Sequence, residues 1–150
     1  MAAEEMTTLY DRDFFEWTWR VARLLREGRL AEVDVEHLAE EIEDVGKREQ
    51  RAVWSHLRFV LVHLLKWQTQ PERRSRHGKA SIRTFRITLS DILAQSPSLK
   101  RNAGEVLARA YEHAIEILLD DTGRAREQLS AACPYTLEQI LDLDFLPGSD

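Results

Sequence analysis

A single cysteine, Cys133, excludes an internal disulfide and a thiolate-held metal cluster, and is compatible with a reducing cytoplasm. Six glycines and four prolines are few for 150 residues, which disfavours a fold of short strands and tight turns and favours long helices. No apolar run approaches the roughly 18 residues needed to span a bilayer, so no membrane association is expected. The opening "MAAEEMTTLYDRD" carries acids where a signal peptide needs a basic region followed by an apolar one. These absences together point to a soluble, cytoplasmic protein. There is no G-x-G-x-x-G, P-loop or G-x-S-x-G, and Cys133 has no neighbouring histidine, so cofactor, phosphate and acyl chemistry have no recognisable motif.

Hydrophobic residues make up 43% and charged residues 31%, a balance that suits one globular domain with a single core. The net charge of -5 is segregated. Residues 32–46 hold seven acids and no base, whereas residues 47–86 hold eleven Lys or Arg against Glu49 and Glu72.

Apolar positions recur at helical spacing over most of the chain. The pattern predicts helices at about 11–27, 34–69, 75–95 and 97–120, with short ones at about 124–131 and 136–142. Gly28 follows the first as a stop, Asp34 is placed to cap the second, and Ser96-Pro97 opens the fourth. Thr136 and Gln139 stand at capping-box spacing. Gly46, inside the long helix, predicts a kink or a close helix crossing. The expected fold is all-α, a single-domain helical bundle of about four main helices with a short helical C-terminal tail.

Two groups of residues are candidates for chemistry. Glu49, His56 and His63 are seven apart and share one face of the long helix, and with Arg83 they form a candidate buried polar network, for which Arg86, Arg20 and Arg23 are the other candidate partners. Seven residues climb about 10.5 Å, too far for His56 and His63 to chelate one metal from one helix, so no metal and no catalytic residue is assigned. The second group follows the apolar run in "FVLVHLLKWQTQPERRSRHGK", residues 59–79. Here Lys66, Trp67, Arg73, Arg74, Arg76 and Lys79 mix cations with an aromatic side chain. Such density suits phosphate contacts and base stacking, or pairing with the acidic segment within the chain or across subunits.

Five segments in order resemble the bacterial family called "domain of unknown function 29". They are "YDRDFFEWTWRVARLLREG" at 10–28, "LAEEIEDVGKRE" at 38–49, "LVHLLKWQTQPERRSR" at 61–76, "SPSL" at 96–99 and "CPYTLEQILDLDFLP" at 133–147. The resemblance implies an all-α, cytoplasmic bacterial protein, and it brings no activity to transfer. It also implies that Glu41, His63, Lys66, Trp67, Pro71 and Arg73 belong to the family pattern, which adds Glu41 to the candidate functional surface.

The expected function is a non-catalytic protein-interaction or oligomerising accessory module that needs no cofactor and takes a protein partner or a second copy of itself. Nucleic acid bound on the basic 66–86 segment is the alternative. A metal-dependent or hydrolytic site at His56 and His63 is the third reading.

Overall fold

The computed structural model describes residues 2–148 and contains no strand among them. The all-α class is therefore as the periodicity gives it. The elements are α1 (Ala2–Arg12), α2 (Phe14–Arg26), α3 (Val35–Thr69), α4 (Arg76–Gln95), α5 (Pro97–Arg101), α6 (Ala103–Thr122) and α7 (Leu137–Leu141). Single turns of 3-10 helix lie at Leu30–Glu32, Pro71–Arg73 and Arg126–Gln128.

The chain divides into two compact units, Met1–Arg48 and Glu49–Asp150, each with its own cluster of buried apolar side chains. One core was expected. The division falls inside α3, where all ten residues from Ile42 to Arg51 are exposed. That stretch carries six charged side chains and one glycine, too little apolar surface to tie it to either core.

In the first unit, Asp13 ends α1 and caps α2 by accepting the Glu16 amide at 3.0 Å. The helix expected at 11–27 is α2, and a helix that the periodicity does not give, α1, precedes it and ends at this aspartate. Trp17, Val21 and Leu24, spaced by four and three, form the buried face of α2. Met6 and Leu9 of α1 and Val33 complete the cluster. Gly28 adopts φ +71 just beyond α2, a conformation that a side chain would resist. Asp34 caps α3 as expected, its Oδ1 lying 3.4 Å from the His37 amide.

The second unit packs the later half of α3 with α4, α6 and α7. Leu57, Leu61 and Leu64 of α3, Leu89 of α4, Leu118 of α6 and Ile140 of α7 are fully buried, each contributing about 1.5–3 kcal/mol of apolar transfer. Ser75 caps α4 by accepting the Gly78 amide at 3.0 Å. The fourth expected helix is broken at Asn102 (φ -93, ψ 3), which separates α5 from α6. Ser96 precedes α5 without a side-chain capping bond. Between 124 and 131 there is one 3-10 turn where a short helix was expected, and Arg126 extends its guanidinium to the carbonyls of Leu129, Ser130 and Ala131. The capping box at Thr136 and Gln139 forms, with bonds of 3.0 and 3.1 Å. Phe145 and Leu146 pack against the core beyond α7.

Gly46 lies in unbroken helix, and nothing comes within 4 Å of the place a Cβ would occupy. The close helix crossing expected there is absent among the described residues.

Candidate functional site

The network expected from Glu49, His56, His63 and Arg83 does not form. Glu49 is exposed and accepts a hydrogen bond from Ser96 Oγ at 2.8 Å. His56 and His63 are half-buried, and each turns Nδ1 to the carbonyl four residues back, Ala52 and Phe59, at 2.7 Å. A carbonyl only accepts, so Nδ1 carries the proton in both rings. Both rings also lie against Phe85 of α4, with centroids 6.0 and 5.8 Å away. Arg83 is exposed, 3.7 Å from Asp144. The physical reason is local: a histidine on a packed helix satisfies one nitrogen most directly on its own preceding turn.

The buried cation is Arg86, three residues further on and 1% exposed. Its Nε donates to the Ile140 carbonyl at 2.7 Å, Nη1 to Phe145 at 2.7 Å and Nη2 to Gln139 at 3.1 Å. Burial lowers its pKa, and the nearby Asp142 and Asp144 carboxylates act in the opposite direction. The signal was in the spacing, since Arg86 falls on the buried stripe of Ile82, Leu89 and Leu93 whereas Arg83 does not.

The basic segment does assemble. Lys66, Trp67, Arg73 and Arg74 line a hollow of about 190 Å³ beside Ser75 and Gly78 at the start of α4. Lys66 Nζ is 2.6 Å from Asp121, and Arg74 Nε donates to the Trp67 carbonyl at 2.9 Å while its guanidinium lies 5.4 Å from the indole centroid. Trp67 Nε1 is buried without a hydrogen-bond partner among the described residues. Arg73 is exposed on the rim, and Arg76 and Lys79 are exposed on the first turn of α4 but do not line the hollow. Glu41 belongs to the first unit, where it accepts the Tyr10 hydroxyl at 2.6 Å.

That bond opens a polar cluster that sequence reasoning missed. Tyr10 stacks on His37, with centroids 3.9 Å apart and planes 15° from parallel, and His37 Nδ1 lies 2.5 Å from Asp34. The hydrogen bond to Glu41, then burial and the Glu41, Glu40 and Asp44 charges, push the Tyr10 pKa up to about 12. Burial alone would raise Asp34, but the His37 ring, the His37 amide and Thr7 outweigh it and the carboxyl stays below its ordinary 3.8. The same bond raises His37 above 6.5, against the effect of burial.

The pair therefore sets a pH window. His37 stabilises the fold fully below 6.5 and loses that contribution as pH rises through its elevated pKa. Asp34 contributes above 3.8 and loses its share as pH falls through its depressed pKa. Proton NMR of the full chain should place the His37 titration above 6.5, and Asp34→Asn should bring it back down. A midpoint at or below 6.5 in the unaltered protein would mean that the pair does not hold in solution.

The first unit also carries most of the large apolar side chains that stand exposed among the described residues. Between α2 and the start of α3 runs a groove of about 390 Å³, with Trp17 and Val21 in its floor and Phe14, Leu25, Ile42 and Val45 along its walls. Ile42 is 63% exposed and Val45 53%, and the neighbouring Phe15 and Trp19 are 71% and 61% exposed. A hollow of about 530 Å³ in the second unit lies between α6 and the 131–135 segment. Its Cys133 thiol is pushed up by burial, which leaves it a poor nucleophile.

Among the described residues no three His, Cys, Asp or Glu are grouped to hold a metal, and no helix is long and apolar enough to cross a membrane. No curated protein and no solved structure matches the chain. The profile of one family, described as "Domain of unknown function DUF29", matches residues 9–146 and so takes in every element from the end of α1 to the segment beyond α7. With nearly its whole length matched, the chain belongs to the DUF29 family.

Proposed function

We propose that the protein is a non-catalytic interaction module whose working surface is the apolar face of its first unit. One observation carries this: six large apolar side chains, Phe14, Phe15, Trp19, Leu25, Ile42 and Val45, stand more than 40% exposed on two adjoining helices. Isolated exposed apolar residues are ordinary, but a contiguous set of aromatic and branched side chains marks a place where water is displaced by another molecule. Aromatic anchors of this kind dominate the energetics of protein contacts.

A second function rests on the basic corner of the other unit, where the α4 N-terminus and Lys66, Arg73 and Arg74 gather positive potential around the small hollow. Nucleic acid is its natural ligand class.

Native mass spectrometry of the full chain purified gently from its host tests both. Added protein mass that disappears in Ile42→Asp supports the interaction module. Added nucleotide mass that survives Ile42→Asp and disappears in Arg73→Glu transfers the assignment to the basic corner. A bare monomer in all three preparations overturns both.

A further inference from the structure

The first unit buries only six apolar side chains among its described residues: Met6, Leu9, Trp17, Val21, Leu24 and Val33. Units of this size are marginal on their own, and association is a usual way to complete such a core. The two walls of its groove differ in charge. On the α2 side Arg26 is the exposed cation, since Arg20 and Arg23 line a separate hollow with Glu5 and Glu32, whereas on the α3 side Glu36 and Glu43 stand exposed.

We infer that the groove between α2 and α3 is covered by the same groove of a second copy of this chain, with each α2 lying over the other copy's α3. This rests on the interaction function proposed above and names its partner. The charges select the arrangement. A two-fold axis parallel to the helices sets Arg26 over the acidic rim of α3 twice, while an axis across them sets acid on acid. In the first arrangement Arg26, at the C-terminal end of α2, is level with Glu36 in the opening turn of the facing α3. Arg26 is 100° round its helix from the wall residue Leu25, and Glu36 is 120° round from Ile42, so both stand on the rims that meet. Gly46 follows Ile42 by one turn with open space above it, so a facing helix can come close there.

Sedimentation velocity on the full chain decides. The protein should dimerise, and Ile42→Asp should weaken the dimer by about 30-fold or more, as expected for a central apolar contact. Arg26→Glu and Glu36→Arg should each weaken it about tenfold, and mixing those two variants should restore it as a heterodimer, because both facing pairs are then of opposite sign. Restoration on mixing also shows that neither variant has simply misfolded. A monomer at every concentration, a dimer indifferent to Ile42→Asp, or mixed variants that stay apart would overturn the inference. If the chain is monomeric yet carries another protein that Ile42→Asp releases, this inference fails and the interaction function stands.

Discussion

Replacing Arg86 by methionine should cost about 3–5 kcal/mol of stability, more than any surface substitution in this chain. The guanidinium is buried and holds three carbonyls, those of Gln139, Ile140 and Phe145. Methionine fills most of the volume but donates nothing, so acceptors that folding has removed from water lose their partner. Arg86→Lys keeps the charge and loses the fork, and should fall between the two. Urea unfolding measures the loss, and hydrogen exchange locates it: amides of residues 137–146 should exchange first. An Arg86→Met protein within 1 kcal/mol of the parent would mean that water takes over the three carbonyls at little cost.

Trp17→Ala should be the second large effect, about 3–5 kcal/mol, and confined to residues 1–48. Trp17 is 2% exposed and is by far the largest of the six side chains in that unit's core. Its edge packs on Tyr10 at 5.0 Å, so removal also frees the ring that stacks on His37. So small a core has no reserve to absorb the loss. Hydrogen exchange should then show unprotected amides in α1 and α2 while Leu57, Leu61 and Leu64 stay protected. Uniform loss of protection across both units would show that they unfold as one.

The long periodic segments made most of the fold legible. The later half of α3, α4 and α6 could be read because their apolar stripes run for three turns or more, and the caps at Asp34 and Thr136 follow from side-chain chemistry alone. Helix α1 could not, because only Met6 and Leu9 of "AAEEMTTLYDR" are buried, with Tyr10 packed beside them, and so short a set makes no period. Nor could the break at Asn102, which depends on where α5 and α6 find room rather than on a residue that forbids helix. For the candidate sites the divide is similar. Lys66, Trp67, Arg73 and Arg74 are close in sequence and so line one hollow, while Glu49, His56, His63 and Arg83 are not brought together because partners of that kind are chosen by tertiary placement. Arg86 could be picked from its stripe, but its acceptors are backbone carbonyls, which every residue has and no sequence marks. The Tyr10, His37 and Glu41 cluster joins α1 to α3 and was hidden with α1.

The three bonds of Arg86 also set an order of events in synthesis. The acceptors lie 53, 54 and 59 residues further along the chain. At roughly 5–20 residues per second, a ribosome takes about 3–11 s to make the first of them after Arg86 itself. During that interval α4 can form, but its apolar stripe carries an unanswered cation that resists burial. The second unit must therefore finish late, whereas every contact of the first unit is in hand by residue 48. The protein is made with its first unit ready and its larger core still waiting for its own tail.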